Sequence, residues 1–149
     1  MKSRLNLFMK GPKAVESLLG INTYLKNGSV DKGLLELVDY RVSQINQCAF
    51  CLDMHSKELR ALGETEQRLY TLDAWKETPF FTDRERAALG WAEAVTACEV
   101  SDEVYETAKE QFSDEELVDL TMAVCAINTW NRLNIAFPNK VGSYQVGKF

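Results

Sequence analysis

The sequence predicts an all-α fold of about six or seven helices packed into a single layered bundle. Three observations point there. Apolar residues recur at spacings of three and four almost throughout the 149 residues. Two capping boxes, Thr82-Asp83-Arg84-Glu85 and Ser113-Asp114-Glu115-Glu116, mark helix starts. No alternating strand pattern, linker or low-complexity stretch interrupts them.

The elements follow in order. Pro12 suits a first helical turn and Asn27-Gly28 a helix end, giving a helix over 12–26. Its apolar stripe is Val15, Leu18, Leu19, Ile21 and Leu25. A second helix spans about 31–47, with Leu34, Leu35, Val38, Val42 and Ile45 on its buried side. Glu36, Tyr40, Ser43 and Gln47 share another face. A third covers about 48–62, and Gly63 suits its left-handed cap. A fourth covers about 64–75 and stops before Thr78-Pro79. The first capping box opens a helix through about Ala97, Ser101-Asp102-Glu103 starts a short one, and the second box opens a long apolar helix over 115–136. Pro138 and Gly142 mark the tail. The length suits one domain over 1–149.

Charge and composition narrow the partners. A net charge of −5, with Lys and Arg scattered, argues against nucleic acid. The segment from Met1 to Phe8 lacks the apolar core of a signal peptide, and no apolar run reaches membrane-span length. These features suggest a cytoplasmic protein in a reducing compartment. Its four cysteines are then not a disulfide framework. Cys98 and Cys125 stand alone in apolar stretches and read as small core residues. Trp75 and Trp91 read as core or interface aromatics. Asn128, Trp130, Asn131 and Arg132 read as polar residues closing a helix–helix seam.

Cys48-Ala49-Phe50-Cys51, followed by the only histidine, His55, carries the chemistry. Spacings of three and four stack these side chains on one side of a helix, with the imidazole one turn beyond Cys51. A free thiol has a pKa near ~8.5 and reacts slowly at neutrality. A helix N-terminus and a neighbouring imidazole both favour the thiolate. A thiolate can attack a peroxide oxygen, and a second thiol can condense the sulfenic acid to a disulfide. Residues three apart on a helix lie ~5–6 Å apart, which a disulfide can bridge. Two other readings use the same residues. One is a pair of buried cysteines beside a packed or surface histidine. The other is a zinc site completed by Glu36 or Asp53.

The stretch from Glu36 to His55 resembles the core of the AhpD-like alkylhydroperoxidase family, within the carboxymuconolactone decarboxylase superfamily. The shared pattern is a glutamate, eleven residues, Cys-x-x-Cys, three residues and a histidine. Gly63 to Leu69, Trp75 to Pro79, Glu85 to Leu89 and Ile127 to Arg132 extend the likeness over about 11–137. The resemblance implies a helical domain that assembles as a homotrimer or homohexamer. It implies a thiol-dependent peroxidase of peroxiredoxin type, with Cys51 peroxidatic, Cys48 resolving, and Glu36 and His55 forming a proton relay. No metal and no cofactor are implied. The partners would be a peroxide and a protein or small-molecule thiol reductant, lipoyl-bearing in some family members. The chain departs from the pattern at Phe50, where the best-known alkylhydroperoxidases carry a second histidine. It keeps the CxxC that the lactone-decarboxylating branch lacks. A non-catalytic, redox-responsive helical oligomer acting as a binding or scaffold protein is the alternative.

Overall fold

The computed structural model describes residues 4–148. Its helices are α1 (Leu7–Lys10), α2 (Pro12–Lys26), α3 (Lys32–Ile45), α4 (Ala49–Ala61), α5 (Glu66–Thr71), a 3-10 helix (Leu72–Glu77), α6 (Asp83–Ala97), α7 (Asp102–Gln111) and α8 (Asp114–Ala136). Both capping boxes are closed, each with its hydroxyl on the third amide and its glutamate on the N-cap amide. Gly63 is left-handed, at φ 94°. Two boundaries differ from expectation. Asp31 and Cys48 are N-caps rather than first helical residues, and the fourth segment divides after Thr71 into α5 and the 3-10 helix, which contains non-helical Ala74. The short helix α1, capped by Asn6, is an addition.

The central helix is α3, which packs against α4, α6 and α8. One face buries Leu34, Val38 and Val42 among residues of α6, α7 and α8, including Ala88, Ala92, Leu120 and Val124. Leu37 instead enters a second cluster with Leu59, Leu69, Leu72, Trp75, Phe81 and Leu89. Full burial of an aliphatic side chain of this size stabilises by about 1.5–3 kcal/mol, so a helix buried on several sides is held firmly. The two tryptophans are core residues as expected, with Trp75 Nε1 donating to Glu93 and Trp91 Nε1 to Thr121.

Some apolar expectations are corrected. Ile45, the last residue of α3, is exposed. Cys98 and Cys125 are also exposed rather than core. Cys98 caps α6 in the left-handed conformation, and Cys125 lies on the outer face of α8 with Val118 and Met122. Tyr40, one turn after Glu36 on α3, packs against the second cluster.

Polar residues close the α3–α8 seam. Asn131, fully buried, donates to Ser43 Oγ at 3.0 Å and accepts from Asn46 Nδ2 at 2.9 Å. Asn46 also donates to Asn128, whose amide reaches Thr96. Low dielectric strengthens such a satisfied network and makes any gap in it costly. Asn131→Ala should therefore lower unfolding stability in urea by about 1–3 kcal/mol, with little change in helix content by circular dichroism.

Candidate functional site

The chain reverses between α3 and α4 in very few residues. Asn46 and Gln47 turn back on Val42 and Gln44, and Gln47 adopts a left-handed φ of 55°. Cys48 then caps α4 with extended backbone, its amide bonded to Ser43 O at 3.1 Å. This places Cys51 in the first turn of α4 and His55 one turn later. Cys48 and Cys51 are joined in a disulfide with Cα atoms 5.4 Å apart, and both are 1% exposed.

The antiparallel α3–α4 pair brings Glu36 opposite His55. Glu36 Oε2 lies 2.8 Å from His55 Nδ1. A carboxylate accepting from Nδ1–H fixes the ring and leaves Nε2 for other work. His55 is buried, and Nε2 is buried without a hydrogen-bond partner. All four residues expected from the sequence, Glu36, Cys48, Cys51 and His55, therefore meet in one place.

A cavity of about 350 Å³ opens onto this cluster. Cys51, His55 and Glu36 line it, whereas Cys48 does not. The rest of the wall is mainly apolar, with Leu25 from α2, Phe50 and Met54 from α4, and Ile127 and Trp130 from α8. The departure noted at Phe50 thus puts an aromatic ring, not an imidazole, in the wall. Leu7 and Phe8 of α1 cover one side, and Arg4 Nη1 donates to Ala136 O at 2.8 Å on the end of α8. The C-terminal tail covers another. Tyr144 and the Gly147 amide both donate to Glu58 of α4, and the Gly142 amide donates to Asp53. Asp53 also pairs with Lys57 at 2.8 Å, so it serves the tail and not the cysteines.

Asp39 is the site residue that motif reading passed over. Three residues after Glu36 on α3, it lines the same cavity. Oxygen atoms of Glu36 and Asp39 and a ring nitrogen of His55 all lie within 4.8 Å of one another. The i, i+3 spacing of two acids on α3 was the available signal. By spacing alone the three could receive a cation, but they are one donor short of a closed structural zinc site. Both sulfurs, being in a disulfide, are not thiolate ligands in this state.

The fields in this cluster are strong. Atoms packed around Asp39 remove most of its solvation even though the cavity leaves part of its surface accessible, and that burial pushes its carboxyl up to about 7. The charge on His55 pulls it down and Glu36 adds to the rise. For His55, burial opposes the imidazolium. The Glu36 bond and the charges of Asp39, Glu36 and Glu58 outweigh it and hold the pKa above the ordinary value. Glu58 is held low despite burial by the Tyr144, Gly147 and Lys32 contacts.

Both raised groups affect stability with the same sign. The folded protein holds protons on Asp39 and His55 that the unfolded chain releases earlier as pH rises. Stability should decline from about pH 4, where an unfolded aspartate ionises, through the folded Asp39 value of about 7. The His55 contribution is complete below about 6.5 and is lost as pH passes its raised value. Urea midpoints measured from pH 4.5 to 8.5 should show this decline, and Asp39→Asn should flatten it. The opposite slope in that variant would contradict the account.

The comparisons with known proteins bear on family and fold. The family model for the carboxymuconolactone decarboxylase family matches residues 12–94. YdfG of Bacillus subtilis strain 168 is 39% identical over 146 residues, covering 96% of this chain and 99% of that protein. The crystal structure of ATU0492 from Agrobacterium tumefaciens, described as a putative antioxidant defence protein AhpD, superposes with a TM-score of 0.89. It is 40% identical, over 93% of this chain and 97% of that one. The debrominase Bmp8, solved with 2,3,4-tribromopyrrole, shares the fold at a TM-score of 0.81 and 16% identity, over 91% of this chain and 74% of its own. Among the described residues no helix is long and apolar enough to cross a membrane. The all-α bundle, the matched family model and the disulfide-forming CxxC pair together place this chain in the carboxymuconolactone decarboxylase family, as an AhpD-like protein with a redox-active cysteine pair.

Proposed function

We propose that the protein is a thiol-dependent peroxidase that reduces organic hydroperoxides through a Cys48/Cys51 dithiol–disulfide cycle. The observation that carries this reading is the unequal placement of the two sulfurs. Cys51 opens onto the cavity beside His55 and Glu36, whereas Cys48 lies behind it. Cys51 is then the peroxidatic thiol and Cys48 the resolving one. The cavity volume of about 350 Å³ and its apolar wall suit a hydroperoxide with a sizeable hydrocarbon part.

The cycle balances with the residues present. The Cys51 thiolate attacks the distal peroxide oxygen, an S–O bond forms and the O–O bond breaks. The leaving alkoxide takes the proton from Nε2 of the His55 imidazolium, giving an alcohol and a Cys51 sulfenic acid. Glu36 holds Nδ1 and stabilises the imidazolium until that transfer. The Cys48 thiol then displaces water from the sulfenic acid and closes the disulfide. A dithiol reductant, a lipoyl group among them, returns two electrons and two protons. One of those protons passes from Cys51 back to His55. In the reduced protein the Cys51 thiol, one helical turn from His55, would supply the partner that Nε2 lacks in the oxidised one.

Family likeness supports a trimer or hexamer, and the exposed Val118 and Met122 on α8 offer apolar area for contact between copies.

One equivalent of peroxide should close the 48–51 disulfide rapidly in the reduced protein, followed by thiol loss and mass spectrometry. Cys48→Ser should accumulate a trappable sulfenic acid at Cys51, and Cys51→Ser should react no faster than a free thiol. Glu36→Gln should slow the wild-type step by about 10–100-fold. Equal, slow thiol loss in wild type and both cysteine variants would instead support the non-catalytic, redox-responsive oligomer.

A further inference from the structure

We propose that Asp39 is a positioning residue of the relay, whose negative charge keeps the His55 imidazole protonated for delivery to the leaving oxygen. Its catalytic consequence rests on the peroxidase reading, but its effect on His55 does not.

Geometry carries the proposal. Glu36 and Asp39 follow each other by one turn on α3 and both face the cavity. Their carboxyl oxygens and a His55 ring nitrogen lie within 4.8 Å of one another. Glu36 takes Nδ1 in a direct bond. Asp39 thus acts on the ring as a second negative charge, through an environment with little water to screen it. The rest of the charged surroundings are few. From α4, Glu58 faces the ring but is engaged by Lys32, Tyr144 and Gly147. From α2, Lys26 reaches only the cavity wall, and α8 presents the uncharged Trp130 and Asn134. Segment α1 contributes Leu7 and Phe8. Among the described residues, Glu36 and Asp39 are the carboxylates that cluster with His55 in this way.

The charges are reciprocal. Asp39 raises the imidazole's proton affinity, and the imidazolium favours ionised Asp39. A proton added to the cluster is therefore shared between two groups that titrate together. An ionised Asp39 therefore favours the return of a proton to His55 after each transfer. Asparagine at this position would keep the size and polarity of the protonated acid but could not hold the charge.

His55 is the only histidine, so its ring resonances form one readable set. The experiment follows them by NMR from pH 5 to 9 in the oxidised protein, where Cys48 and Cys51 do not titrate. Wild type should give two inflections, the signature of coupled sites. Asp39→Asn should give one, moved down by roughly one pH unit, and Asp39→Glu should restore the higher value. In the reduced protein the peroxide-dependent thiol loss of Asp39→Asn should fall off at lower pH than that of wild type. A merely structural residue would alter melting temperature without moving either curve. An unchanged His55 titration in folded Asp39→Asn would overturn the proposal. Should that variant not fold, a single inflection at the ordinary histidine value in wild type would overturn it equally. If wild type titrates as expected but does not react with peroxide, the peroxidase reading fails and the coupling of Asp39 to His55 stands.

Discussion

The reversal between α3 and α4 sets the geometry of the whole site. Gln47, at a φ of 55°, lets the chain turn within two residues. Cys48 then caps α4 and bonds back to Ser43. A longer connection would let α4 slide along α3, and a slide of one helical turn is about 5.4 Å. The 2.8 Å contact between Glu36 and His55 tolerates no such slide. Packing holds the register, because Leu37 of α3 and Leu59 of α4 are both buried in the second core cluster. The polar seam of Ser43, Asn46 and Asn131 fixes the other side of the turn against α8. The dithiol is therefore anchored at the point where three helices are locked together.

Building the site at that junction has an electrostatic consequence. Two carboxyl groups and an imidazole occupy a largely apolar pocket, where every charge acts strongly on its neighbours. Burial alone would leave His55 neutral and unable to donate a proton. The acidic groups around it reverse that outcome. The same arrangement costs stability when Asp39 ionises, since burial holds its proton until near neutrality. Sites that tune proton affinity by burial commonly carry this cost. Here it is borne by a core in which Val38, Val42, Leu120 and Val124 are fully enclosed.

The cavity walls come from parts of the chain far apart in sequence. Segment α1, helix α2, the end of α8 and the C-terminal tail all reach it. The tail is tied to α4 through Glu58, which accepts from both Tyr144 and the Gly147 amide, and through Asp53 and Lys57, which bond Gly142 and Tyr144. Cover for the pocket therefore rests on polar contacts to a helix that also carries the cysteines. Apolar walls with a charged floor suit a ligand that has a hydrocarbon body and one reactive polar end.

Much of this was readable from residues alone. Helical spacing, two capping boxes and Pro12 located α2, α6 and α8 closely, because caps and periodicity are local properties of the chain. The CxxC-x3-H spacing with Glu36 twelve residues before Cys48 picked out the four residues that meet, since three of them share one helix or its cap. Local pattern could not tell which of two adjacent faces of α3 turns toward α4. Asp39 therefore went unread until the packing turned it to the cavity and its neighbour Tyr40 to the second core cluster. Nor could it tell that Cys98, Cys125 and Ile45 lie where no neighbouring helix covers them. The sequence by itself determined the helices, their caps and the reactive motif. Only the tertiary structure decided the cavity, its cover by α1 and the tail, and the three-group cluster, because burial and through-space charge depend on segments that spacing along one helix does not relate.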